Sequence, residues 1–227
     1  MTIRVLLADD QALLRDTFRI LINSSSDLEV VGEASDGAEA ITLARTLHPD
    51  IVIMDIRMPG TDGLAATTAI CSDPDLSAVR ILILTTFETD EYVARALRAG
   101  ASGFLGKDVT ADALLDAIRT VADGDALLSP AATKMLVSRF LVTPEPAVDA
   151  ELPEQLSSLT AREREVMILA ARGMSNTDIA DTLCLSPLTI RTHIQRAMTK
   201  LHARDRAQLV VAAYQSGLVQ SGPPAAP

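Results

Sequence analysis

Five polar residues in the first half of the chain stand where an apolar run stops. Asp9 and Asp10 follow Ile3–Ala8, and Asp55 follows Ile51-Val52-Ile53-Met54. Thr85 follows Ile81–Leu84, and Lys107 comes two residues after the end of Gly103-Phe104-Leu105. Three carboxylates gathered in one crevice repel each other and suit a hard divalent cation. Mg²⁺ fits, because it takes oxygen ligands, keeps several waters and accepts phosphate oxygens as further ligands. An ion held this way orients a phosphoryl group for in-line attack, and a carboxylate can be the attacking nucleophile. Asp55 is the expected nucleophile, Lys107 a cation for phosphate oxygens, and Thr85 a hydroxyl for one of them. Each residue alone has a plainer reading. Asp9-Asp10 can cap the next helix, Asp55 can cap a loop, Thr85 can merely end a strand and Lys107 can be a surface lysine. Their shared position at strand ends favours the chemical reading.

That position depends on a sheet, and the sequence predicts one. Strands are expected at Ile3–Ala8, Leu28–Glu33, Ile51–Met54, Ile81–Leu84 and Gly103–Leu105. Between them run helical patterns: one burying Leu13, Leu14, Phe18, Leu21 and Ile22, one through Ala38-Ile41-Ala44-Leu47, and one over about Gly63 to Ile70. Two more cover Tyr92 to Leu97, closed by Gly100, and Leu114 to Val121, capped by Thr110 and stopping at Gly124. Alternating strands and helices predict an α/β doubly wound, five-stranded parallel sheet. Its switch point between the first and third strands brings Asp9-Asp10 and Asp55 together.

Charge divides the chain. Residues 1–125 hold 21 acidic and 10 basic residues, whereas 157–227 hold five acidic and eight basic. Nucleic-acid contact is therefore expected at the C-terminal end. Domain boundaries are expected at 1–125, a linker over 126–156, a second domain over 157–220 and a disordered tail over 221–227. The linker contains a helix started by Ser129-Pro130 and running to about Phe140, then a Pro- and acid-rich stretch, 143–154. No apolar run approaches the roughly 18–20 residues of a membrane span, and the N-terminus lacks a signal-peptide layout. Cys71 and Cys184 stand far apart, which predicts reduced thiols in a cytoplasmic protein.

The second domain reads as a small all-α unit. Thr160-Ala-Arg-Glu163 opens one helix as a capping box, Ser175 caps a short one, and Ser186-Pro187 starts a third over Leu188–Leu201. The last two form a helix-turn-helix candidate across Cys184-Leu185-Ser186. Ile190, Ile194, Ala197 and Leu201 make one buried stripe. Arg191, Thr192, Gln195, Arg196, Thr199 and Lys200 lie away from it, where they can reach base edges or phosphates. A last helix covers about Arg206 to Ser216.

Residues 3–120 resemble the receiver domain of bacterial two-component response regulators, a flavodoxin-like fold. The resemblance rests on Asp9-Asp10, Asp55 with Met58-Pro59-Gly60, Thr85, and Gly106-Lys107-Asp108. It implies that Asp55 is phosphorylated by a sensor histidine kinase. It also implies that Asp10, Asp55 and the backbone carbonyl of Arg57 hold Mg²⁺, with Asp9 acting through water. Phe104 matches an aromatic switch position paired with Thr85. Relatives often carry leucine where Gly106 stands, a difference expected to loosen the loop while leaving the lysine in place.

Residues 159–219 resemble the LuxR-type DNA-binding domain of the NarL/FixJ subfamily. The matching stretches are Leu159–Glu163, Gly173–Asn176 with Ile179-Ala180, Ser186 with Thr189–His193, and Lys200-Leu201. By this resemblance Arg191, Thr192 and Gln195 face bases, Arg196 and Lys200 favour phosphates, and promoter DNA is bound as a dimer. The last helix, with Leu209, Val210, Ala213 and Tyr214, resembles the family's dimerisation helix; ordinary core packing is its other reading. A silent, phosphorylation-independent receiver is disfavoured by the complete acidic pocket. An aspartyl phosphatase would want a second Asp two residues after the nucleophile, where this chain has Arg57. A protein-binding adaptor would not need the basic reading helix. The receiver's only expected catalysis is its own phosphotransfer and dephosphorylation.

Overall fold

The computed structural model describes residues 2–86, 90–123 and 156–219, with only the backbone described at 90, 91 and 94. The predicted helix after Ser129-Pro130, the stretch 143–154, the stop at Gly124 and the tail 221–227 fall outside the described residues. The chain divides into two compact units, before and after Leu127.

The first unit contains strands β1 (Ile3–Ala8), β2 (Leu28–Ala34), β3 (Ile51–Met54), β4 (Arg80–Thr85) and β5 (Gly103–Gly106). All pair in parallel in the order β2-β1-β3-β4-β5. The strand order thus reverses between β1 and β3, as the alternating pattern predicts. Helices α1 (Ala12–Asn23), α2 (Gly37–Leu47), α3 (Gly63–Ser72), α4 (Asp90–Arg98) and α5 (Ala111–Ala122) connect the strands. β3 is buried at every residue, which is why it reads as an unbroken apolar run rather than an alternating one. On one side of the sheet Val5, Leu7, Ile51, Ile53, Leu82 and Leu84 pack with Leu114, Ile118 and Val121 of α5.

Two local expectations change. Leu13 is 79% exposed, whereas Ile22 on the same helix is fully buried. The two are nine residues apart, so helical geometry puts them about 180° apart around the axis. Gly106 lies in the strand and not in the loop: it is the last paired residue of β5, opposite Thr85. The caps behave as predicted: Thr110 accepts from the Ala113 N–H, and Gly100 takes the left-handed conformation (φ +105°) that ends α4.

The second unit contains α6 (Ala161–Ala171), α7 (Asn176–Leu183), α8 (Pro187–Lys200) and α9 (Arg206–Gln215). Thr160 and Glu163 close the predicted capping box, Ser175 forms a second with Asp178, and Ser186 caps α8. Between α7 and α8 the chain turns on Cys184, which is left-handed (φ 53°). Ile179, Ile190, Ile194 and Ala197 are buried, as are Val166, Met167 and Ala170.

Candidate phosphoacceptor site and reading helix

The sheet fixes the backbone of each crevice residue. The Asp55 N–H donates to Ala8 O (2.8 Å), the Asp9 N–H to Ala34 O (3.1 Å) and the Lys107 N–H to Thr85 O (2.9 Å). Ladder geometry therefore extends one residue past the strands. At the side chains, Lys107 Nζ lies 2.6 Å from Asp9 Oδ2 and 2.9 Å from Asp55 Oδ2. The other oxygen of each carboxylate is held by backbone: Asp55 Oδ1 accepts from Ile56 N–H (2.8 Å) and Asp9 Oδ1 from Gln11 N–H (2.9 Å). Two acids are thus oriented by one ammonium and one amide each. Asp9 and Asp55 are buried, while Asp10 is exposed at the mouth.

One oxygen from each of Asp9, Asp10 and Asp55 can be chosen so that all lie within 4.8 Å of one another. Three carboxylates and one ammonium leave this crevice with an excess of negative charge, the donor set a hard cation takes. The Lys107 side chain is only 5% exposed. Burial by itself favours its neutral form, but the hydrogen bonds and charges of Asp9 and Asp55 outweigh it and raise its pKa above 10.5. Lys107 is therefore an ammonium at neutral pH.

Thr85 is fully buried at the end of β4, and Phe104 in neighbouring β5 is buried too. Arg57 turns its side chain outward, with its guanidinium 5.8 Å from the Tyr92 ring centre. Two contributors were not singled out in the sequence. Gly63 passes so close to the backbone of Asp55 that a Cβ there would sit 1.8 Å from Asp55 O. Its N–H also donates to Ile56 O (2.9 Å), fixing the loop after Asp55. The Arg15 guanidinium, on α1, donates to the Asp9 carbonyl. Nothing in the spacing marks either residue, because both act through contacts distant in sequence.

On α8, Arg191, Thr192, Gln195 and Arg196 are exposed, as expected of a reading face. His193 is half-buried. Lys200 differs from its predicted phosphate role. Its Nζ lies 2.7 Å from Glu163 Oε2 and 3.0 Å from Ser158 O, so its charge serves a buried carboxylate in the same domain. The predicted dimer contacts on α9 also differ. Leu209, Val210 and Ala213 are at most 1% exposed and fill the interior of their own domain. The Tyr214 hydroxyl donates to Ala171 O (2.8 Å). A residue already enclosed by its own domain has no surface left for a second copy, so core packing is the reading that holds for Leu209, Val210 and Ala213, while Tyr214 is half-buried.

Among the described residues, no helix is long and apolar enough to cross a membrane. Comparison with known proteins agrees with both units. Residues 5–119 match the response regulator receiver domain, and residues 157–213 match the luxR family of bacterial regulatory proteins. The transcriptional regulatory protein YxjL of Bacillus subtilis (strain 168) is 43% identical over 218 residues, covering 96% of this chain and 98% of that protein. The crystal structure of response regulator ChrA, from a heme-sensing two-component system, is 35% identical with a TM-score of 0.51, covering 96% and 99%. RcsB, solved as two dimers bound to two parallel DNAs, shares the fold at 23% identity and a TM-score of 0.54, covering 96% and 100%. A receiver sheet carrying its acidic crevice and a LuxR-type helical unit lie on one chain, and the chain belongs to the response regulators that control transcription.

Proposed function

We propose that Asp55 accepts a phosphoryl group from a sensor histidine kinase and that the modified receiver controls DNA binding by α8 as a homodimer. The observation that carries this reading is the Lys107 ammonium held between Asp9 and Asp55 beside an exposed Asp10. Asp9, Asp10, Asp55 and the Arg57 carbonyl would hold Mg²⁺, Asp9 through water. When bound, Mg²⁺ neutralises phosphoryl oxygens and the crowded carboxylates.

The chain's own groups account for the rest. One oxygen of Asp55 attacks phosphorus in line with the leaving group. The bond from phosphorus to the histidine nitrogen breaks, and its electron pair stays on that nitrogen. The Ile56 N–H holds the Asp55 carboxylate during attack. Lys107, already protonated, shifts from the carboxylates to the incoming phosphoryl oxygens. Phosphorylation adds about −1.5 to −2 charges at neutral pH. Thr85 turns its hydroxyl toward the new oxygens, and Phe104 repacks into the space beside it. The resulting bias acts on the surface formed by β4, β5 and their helices.

On DNA, Arg191, Thr192 and Gln195 face bases and Arg196 meets phosphate. Dimer formation uses surface other than the buried residues of α9. The experiment is labelling with acetyl phosphate and Mg²⁺, read as a mass increase on the intact chain. Wild type gains one phosphoryl group and Asp55→Asn gains none; undiminished labelling of the variant refutes the assignment.

A further inference from the structure

Leu188, in the first turn of α8, is 74% exposed. A single exposed leucine is ordinary on a protein surface. Its place on this helix is what makes it informative. Leu188 is two residues from Ile190, so it points about 200° around the axis from the buried stripe of Ile190 and Ile194. It shares the outward face with Arg191, Thr192 and Gln195, which follow at three, four and seven residues. All four are exposed.

Thr192 adds to the apolar character of that turn. Its hydroxyl donates to Leu188 O (3.0 Å), so its hydrogen is committed to the helix and it offers a ligand its methyl and an acceptor oxygen. The nearby Thr189 and Ser186 hydroxyls bond each other (2.8 Å). The N-terminal end of the reading helix therefore presents a leucine and a threonine methyl, flanked by the polar groups of Arg191 and Gln195.

The N-terminal residues of a recognition helix are the ones that reach base edges. In the major groove, the apolar group that a base pair displays is the 5-methyl of thymine. We infer that Leu188 is a specificity-determining residue, and that each half-site of the bound DNA carries a thymine whose methyl packs on Leu188 beside Thr192. This inference rests on the proposed DNA reading by α8.

Its test begins with the full-length chain, treated with acetyl phosphate and Mg²⁺, selecting duplexes from a random-sequence library. The selected site is then resynthesised with each thymine replaced in turn by deoxyuridine, which removes only the methyl. Affinities are measured for wild type, Leu188→Ala and Leu188→Met. One thymine per half-site is expected to weaken wild type by about fourfold when its methyl is lost. Leu188→Ala binds the thymine and uracil versions equally, while Leu188→Met keeps the difference. Because the side chain is exposed, all three proteins unfold at the same temperature. Sites that are selected but show no uracil effect dependent on residue 188 overturn this inference alone. Failure of wild type to select any duplex overturns the DNA reading and this inference together.

Discussion

Replacing Lys200 with methionine separates two roles that its position on α8 leaves open, a phosphate contact and an internal ion pair. In the structure Lys200 Nζ is 2.7 Å from Glu163 Oε2, and the Glu163 side chain is 4% exposed against 34% for the lysine. Breaking a fully buried pair from one side costs about 3–5 kcal/mol, because the surviving charge is stranded. Here water reaches the lysine, and the Thr160 N–H still donates to Glu163 (2.8 Å). Both reduce the loss, to about 2 kcal/mol. Amide hydrogen exchange of the full-length chain reads this locally, in peptides covering α6 and α8. A loss of that size speeds exchange through domain opening about thirtyfold, with receiver peptides unchanged.

The same substitution has a pH signature. Burial by itself would raise the Glu163 pKa, but the Lys200 ammonium and the Thr160 hydrogen bonds lower it below 4.5. A carboxyl whose folded pKa is depressed contributes stability above its unfolded value, and that stability fades as pH falls through the folded one. Wild type therefore loses protection in α6 below about pH 4.5, and Lys200→Met shows a weaker dependence, since only the Thr160 hydrogen bonds remain to lower the Glu163 pKa. DNA affinity supplies the opposing readout, since each phosphate contact contributes about −0.9 to the slope of log affinity against log salt. Unchanged exchange together with a slope shallower by about two units, one contact from each protomer of the dimer, would refute the ion-pair reasoning and return Lys200 to the phosphate backbone.

Three further outcomes are expected. Gly63→Ala forces its new methyl against Asp55 O, so thermal unfolding should show a loss of about 1–3 kcal/mol and acetyl phosphate labelling should fall; normal labelling would mean the loop does not position the nucleophile. Leu13→Ser should change stability by less than about 0.5 kcal/mol in urea unfolding, since its side chain contributes nothing to the core; a larger loss would restore it to the buried face. Lys107→Met should tighten Mg²⁺ binding in calorimetry while lowering the labelling rate, because the ammonium and the proposed metal would compete for Asp55; weaker metal binding would contradict that competition.

The sequence by itself determined the sheet and the identity of the crevice residues. Strands buried on both faces must be continuous apolar runs, and a run that stops on Asp9, Asp55, Thr85 or Lys107 announces the residue at its end. Alternation with helices then leaves little freedom in topology. The capping box at Thr160 and the cap at Ser175 were legible for a similar reason: they are satisfied within four residues of chain. Tertiary structure decided what depends on contacts distant in sequence. Gly63 and Arg15 serve Asp55 and Asp9 from other elements, so no local pattern marks them. Helical periodicity finds a stripe but not its neighbours, which is why Leu13 could be assigned to the wrong face. It also cannot say whether an apolar residue on α9 meets its own domain or a second copy, or whether a lysine on α8 meets DNA or Glu163. Those choices are fixed by which surfaces and charges lie across from the helix, and only the folded chain brings them there.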